Sequence, residues 1–279
     1  MTKKKAGDIA LYVLLIALVL LFLFPIAFVV VNSFKSKLFI SSNPFGIPSG
    51  ESFAKFGNYT EGIEKTNFFG AFGWSAFITV GSVVMILLFT SMTAWYITRV
   101  KSKVTSCLYY LFVFSMVVPF QMVMFTMSKM ADTLHLNTPW GLILLYLGFG
   151  AGLSIFMFSG FVKSIPVDIE EAALIDGCNP IKMFFVIIMP ILKPTVITVA
   201  ILNTMWIWND YLLPYLTIGL STEYKTIPVV VQYLMGSYGA KDYGALMALL
   251  VLAIIPIIIF YLCCQKYIIK GVVAGAVKG

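Results

Sequence analysis

The sequence predicts an all-α polytopic membrane protein with about six transmembrane helices. Three observations carry this. Of 279 residues, 60% are hydrophobic and 11% charged, with mean hydropathy +0.96, whereas an ordinary soluble domain has ~25% charged residues. Too little polar surface remains to face water all round, so lipid must be the solvent for much of the chain. Several apolar runs reach the ~20 residues that cross a bilayer. Finally, the runs lack strict polar–apolar alternation, which argues for helices over a barrel.

The first run, residues 9–32, follows Lys3, Lys4 and Lys5. It is longer than the ~7–15-residue core of a cleaved signal peptide and passes through Pro25 without a small-residue cleavage site, so it reads as a retained anchor helix. The second, residues 72–96, is closed by Arg99, Lys101 and Lys103; the third is residues 104–127. The fourth, residues 139–162, opens with Trp140 as an interfacial anchor. The fifth and sixth are residues 193–218 and 243–267.

Six crossings put both termini on one side. With the amino terminus inside, inner segments hold twelve of the 19 basic residues and outer segments seven, as the positive-inside rule expects. The lysines sit at the ends of apolar runs, which is topology control and not a nucleic-acid footprint. Cys107, Cys178, Cys263 and Cys264 lack metal-ligand or disulfide spacing, and His135 is the single histidine, so a His-rich catalytic metal centre is excluded.

Between the fourth and fifth runs lies "SIPVDIEEAALIDGCNPIK", residues 164–182, the one connection between inner run ends that carries acidic residues. Ser164 can cap a helix and Pro166 suits its first turn, while Asp168, Glu170 and Glu171 occupy the end that the helix dipole favours for acids. Ile169, Ala172, Ala173 and Asp176 follow i, i+3, i+4, i+7 spacing and are expected on one flat face. Gly177 is placed to stop the helix in a left-handed conformation, and Asn179-Pro180 restarts a second helix ending near Pro190. The expected product is a rigid helix-turn-helix elbow.

Glu171-Ala172-Ala173, then Gly177 after three residues, then Ile187 and Met189-Pro190 resemble the EAA loop of binding-protein-dependent ABC importer permeases, with Met189 replacing the usual Leu. "NSFK" at residues 32–35, "AWYITR" at 94–99, "LNTPWGLIL" at 136–144, "WNDYLLP" at 208–214 and "TIPVVV" at 226–231 look like the carbohydrate-uptake branch of that family. The closing "GAVKG" looks like its maltose-permease type. The resemblance implies a type I importer permease fold. It divides the chain into residues 1–70, a helix with an outer loop, and residues 71–279, a five-helix core with the coupling loop at 164–190.

The resemblance also implies a multi-pass protein of the cytoplasmic membrane with four kinds of partner: a second homologous permease, an ABC ATPase dimer, an extracytoplasmic solute-binding protein, and a sugar substrate. Nucleic acid is not among them. ATP and Mg would be bound by the ATPase subunits and no cofactor by this chain, which has no Gly-Lys-Ser/Thr phosphate loop and is expected to have no catalytic residues. Glu170, Glu171, Ala172, Ala173, Asp176, Gly177, Pro190 and Lys278 would meet the ATPase, and the outer loop near residues 232–243 would probe the binding protein.

Asp210 is the one acidic residue within the expected spans. Charge at that depth points to function, and with Trp206 and Asn209 it could line a sugar path. The plainer alternative is a helix-end carboxyl hydrogen-bonded to a neighbouring helix. Gly148-Phe-Gly-Ala-Gly152 lies inside an apolar run with no strand before it, so it reads as close helix packing. An ion-coupled secondary transporter or channel is the rival, but the mid-membrane charges and internal duplication of that class are missing.

Overall fold

A computed structural model describes residues 3–219, 223–235 and 242–276. Among them the chain is helical, with one isolated antiparallel bridge, Lys35 to Phe53. We number the helices α1 (Lys3–Ser33), α2 (Lys37–Ser42), α3 (Gly57–Thr66), α4 (Phe68–Arg99), α5 (Lys103–Ser115), α6 (Phe120–Thr133), α7 (Pro139–Val162) and α8 (Asp168–Ile175). They continue with α9 (Pro180–Ile191), α10 (Lys193–Asn209), α11 (Ile227–Tyr233) and α12 (Tyr243–Ala276). Four spans stand as single helices within α1, α4, α7 and α12, and two more arise if each of two bent pairs counts as one. The all-helical, multi-span expectation holds.

The bends are what composition did not reveal. The third run is not one rod: α5 and α6 meet at 106°. Pro119 lacks an N–H and restrains Val118 away from helical backbone, so the first helix stops and Pro119 caps the next. The fifth run also breaks. Helix α10 ends at Asn209, Asp210 is extended (φ −73°, ψ 123°), and a short turn at Leu212–Pro214 leads into a π turn at Tyr215–Gly219. Before α10, α9 meets it at 78°. Pro190 and Pro194 withhold two N–H groups around this corner, and a π turn at Phe184–Ile188 precedes Pro190.

By its contacts the chain forms two compact units: residues 1–69 with 230–258, and residues 70–229 with 259–279. In the first, Asn58 donates to the carbonyls of Ser33 and Lys35 at 2.7 Å each, tying α3 to the end of α1. Gly244 seats α12 against Asn58, because a Cβ there would lie 2.4 Å from its Oδ1.

The second unit is organised around α7, whose Leu142, Tyr146, Phe158 and Val162 are fully buried. Thr138 caps its start by accepting from the Gly141 N–H at 3.0 Å, with Pro139 in the first turn. Within the Gly148–Gly152 stretch, Gly150 and Gly152 serve the close packing expected there. A Cβ on Gly152 would sit 2.7 Å from the Phe112 carbonyl of α5, and one on Gly150 would sit 2.6 Å from Ile86 of α4. Gly148 has open space instead.

Candidate functional site

The elbow forms, with its start shifted. Helix α8 begins at Asp168 with Val167 as an uncapped N-cap, and the Ser164 hydroxyl turns back to the Phe161 carbonyl at 2.7 Å. Ser164 is therefore a terminator of α7 and not the cap of α8. The far end matches expectation. Gly177 has φ +75°, its N–H donates to Leu174 O at 3.0 Å, and the Cys178 N–H donates to Ala173 O at 2.9 Å. This pair of bonds is a Schellman stop. A Cβ at Gly177 would meet nothing within 4 Å, so conformation and not crowding requires glycine here. Asn179 then caps α9 through the Lys182 N–H at 2.8 Å, with Pro180 in the first turn.

The expected flat face is split. Ile169, Ala172 and Asp176 are exposed, whereas Ala173 and Glu170 are buried. At 100° per residue, Glu170 and Ala173 lie 60° apart and face the core, which turns Ala172 outward. Glu170, grouped with the contact surface by sequence, is an internal anchor: Arg99 Nε donates to its Oε1 at 2.8 Å, Arg99 Nη2 lies 2.7 Å from the same oxygen, and Trp95 Nε1 donates to Oε2 at 3.1 Å. Arg99 Nη2 also donates to the Ile165 carbonyl at 2.9 Å, and the Trp95 ring packs on buried Phe184 of α9 at 5.7 Å. Both arms of the elbow are thus fastened to the last two turns of α4. Outward, Glu171, Ala172 and Asp176 are flanked by exposed Leu174, Ile175 and Ile181, the last two 86% and 68% exposed. Pro190 is exposed on the second arm.

At the end of α10, Asp210 accepts from the hydroxyl of fully buried Tyr146 at 3.0 Å and from the Leu212 N–H at 3.0 Å. Trp206, one helical turn before Asp210, meets Tyr146 edge-on at 5.5 Å. Asn209 folds onto its own helix, donating to the Met205 carbonyl at 2.7 Å. Trp206 and Asp210 converge on Tyr146, and Asn209 does not join them. The helix-to-helix hydrogen bond is the plainer of the two readings of Asp210.

A family profile described as "Binding-protein-dependent transport system inner membrane component" matches residues 86–273, a stretch that contains α7, the elbow and α10. The chain belongs to this family. It is 40% identical over 94% of its length to the probable starch degradation products transport system permease protein AmyC of Thermoanaerobacterium thermosulfurigenes, covering 94% of that protein. It is 36% identical to the multiple sugar-binding transport system permease protein MsmG of Streptococcus mutans, over 96% of each chain. Its fold matches a chain from the crystal structure of a bacterial ABC transporter that imports the acidic polysaccharide alginate, with TM-score 0.80, 22% identity, and coverage of 96% and 98%.

For a binding-protein-dependent inner membrane component, the informative residues are those that sequence reasoning left without a role. Trp95 was visible only as part of "AWYITR", and Arg99 there and as a basic residue closing the second run; their i, i+4 spacing put them on one helix face, but nothing in the sequence named Glu170 as their target. Tyr146 had no signal beyond lying in an apolar run. Lys278 lies outside the described residues, as does 236–241 of the outer loop.

Proposed function

We propose that this chain is one of two permease subunits of an ATP-driven importer for sugars or oligosaccharides in the cytoplasmic membrane, with both termini inside the cell. A paired ATPase would bind ATP and Mg and hydrolyse the nucleotide; this chain would convert its closure into alternating access. The observation that carries the reading is the elbow. It combines a surface of Glu171, Ala172 and Asp176 framed by exposed Ile175 and Ile181 with a buried charged clamp to α4. Such a surface fits a protein cleft, where alanine allows close approach and isoleucine buries apolar area on docking. A push on a member held at both arms is delivered to α4 rather than lost in loop motion. Gly177 sets the angle, Pro190 lies on the second arm, and Lys278 would add a contact from the tail. Sugar as cargo rests on relatives such as AmyC and MsmG. Trp206, Asn209 and Asp210 are the substrate-path residues of this proposal.

The test is reconstitution of the chain with its second permease, ATPase dimer and solute-binding protein in proteoliposomes. Labelled oligosaccharide should accumulate only with internal ATP, should stop with vanadate, and should ignore proton ionophores. Uptake by this chain alone, or uptake collapsed by ionophore and indifferent to vanadate, would instead support ion-coupled transport.

A further inference from the structure

We infer that residues 44–48, "PFGIP", form a wedge in the membrane interface, with Phe45 seated among lipid acyl chains beside α1. The placement begins with two buried side chains at the end of α1. Lys35, 1% exposed, donates through Nζ to the carbonyls of Asn43 and Pro44 at 2.9 Å each, and Asn32 Nδ2 adds a bond to the Pro44 carbonyl at 3.0 Å. These bonds turn the chain back toward the helix it has just left. Phe45 then meets Phe28 at 5.5 Å and Phe24 at 6.4 Å between ring centroids, yet it remains 74% exposed.

Depth follows from helix geometry. The apolar run of α1 ends at Asn32, and Phe28 and Phe24 lie about 6 and 12 Å before it along the axis at 1.5 Å per residue. Side chains of a helix lean toward its N-terminus, so Phe45 reaches below the polar end of the span. Residues 7–27 of α1 expose their side chains throughout, as lipid-facing residues of a span do. The surface that Phe45 touches is therefore continuous with the membrane-facing flank.

The segment is also built for low polarity. Residues 38–50 carry no charge, and Lys37 and Glu51 bracket them. Pro44 and Pro48 have no N–H to satisfy, the Gly46 N–H donates to Asn43 Oδ1 at 3.1 Å, and the carbonyls of residues 43 and 44 are taken by Lys35. Around residues 43–46 these bonds reduce the unpaired backbone polarity that would resist entry into lipid. Ile47, 84% exposed, gains by the same burial.

The assembled transporter, carrying p-benzoyl-phenylalanine at position 45, is placed in vesicles of phosphatidylethanolamine and phosphatidylglycerol and irradiated. The expected result is a mass increase of one phospholipid on this chain. No phospholipid adduct, or an adduct with another subunit or with the solute-binding protein, overturns the inference. As an independent measurement, a spin label at Phe45→Cys in a chain with the four native cysteines replaced by alanine should be open to oxygen and several-fold protected from a water-soluble nickel chelate, relative to Ser49→Cys. Equal nickel access at both positions overturns it.

Discussion

Arg99 and Glu170, 71 positions apart, meet at 2.7 Å with side chains only 17% and 9% exposed. Two charges that are nearly buried cannot be separated cheaply: removing one partner leaves the other desolvated and unpaired, which costs about 3–5 kcal/mol. Glu170→Ala should therefore free the elbow from α4, seen as faster amide exchange across residues 165–178 while α7 keeps its protection. Glu170→Gln keeps one acceptor oxygen for Arg99 while its NH2 turns toward the Trp95 N–H, and it should be the milder change because the side chain still fills the site. Unaltered exchange in Glu170→Ala would show that the clamp holds nothing.

Gly177 makes a separable prediction. Its φ of +75° is the left-handed region and the space around it is open, so Gly177→Ala should cost the left-handed penalty alone, roughly 1–2 kcal/mol. Asn tolerates that region better than other side chains, and Gly177→Asn should retain most of the turn. In the reconstituted transporter, coupled ATP hydrolysis should fall in the order Gly, Asn, Ala. Equal coupling in all three would detach the turn geometry from the transport cycle.

These two residues mark where sequence reasoning reaches its limit. Gly177 was legible because a left-handed stop is a local requirement that one residue type meets well, and because Asn179-Pro180 signals a new helix immediately after. The spans were legible for a similar reason: crossing lipid is a requirement on twenty neighbouring residues. Pairing is different. Glu170 and Glu171 are the same residue type in adjacent positions, and which faces Arg99 depends on the angle at which α8 leaves α7. The start of α8 at Asp168, four residues beyond Ser164, changes that angle. The 106° corner at Pro119 escaped because both of its arms are apolar and only their direction differs.

Tyr146 and Asp210 allow the substrate-path proposal to be separated from a structural role. The Tyr146 hydroxyl is fully buried and bonded to a carboxyl group, and a hydrogen bond of that kind contributes about 1.5–3 kcal/mol. Tyr146→Phe should lower the unfolding temperature of the purified chain without changing which sugars compete for uptake. Asp210→Asn keeps its oxygen as acceptor for the Leu212 N–H and can donate its Nδ2 to the Tyr146 hydroxyl oxygen, so the fold should survive it. If Asp210 contacts sugar, the apparent KM rises; unchanged transport removes it from the path.

The last prediction concerns pH and the first unit. Lys65 Nζ lies 2.6 Å from Glu61 Oε1 and 2.7 Å from Asp242 Oδ2, and Lys37 Nζ lies 3.1 Å from each of the same oxygens. Burial pushes the Asp242 carboxyl up, but hydrogen bonds from Lys65, the Ala245 N–H and Lys37 together outweigh it and hold the group below its ordinary 3.8. Lys65 and then Lys37 hold Glu61 below 4.5, and Asp242 and then Glu61 raise both lysines above 10.5. A lowered carboxylate contributes stability that is complete above its ordinary value and disappears as pH falls through the lowered one. A raised ammonium contributes below 10.5 and loses its share as pH climbs past the raised value. The tie between α3 and the start of α12 should thus be constant across neutral pH and weaken at both extremes. Lys37, Lys65 and Glu61 are each more than a third exposed, so each pair contributes at most about 1 kcal/mol and is screened by salt. Amide exchange in residues 57–66, corrected for intrinsic rates, should quicken below about pH 4 and on adding salt at pH 7. Asp242→Asn should flatten much of the acid limb, and an acid limb unchanged in that variant would assign it to other carboxylates.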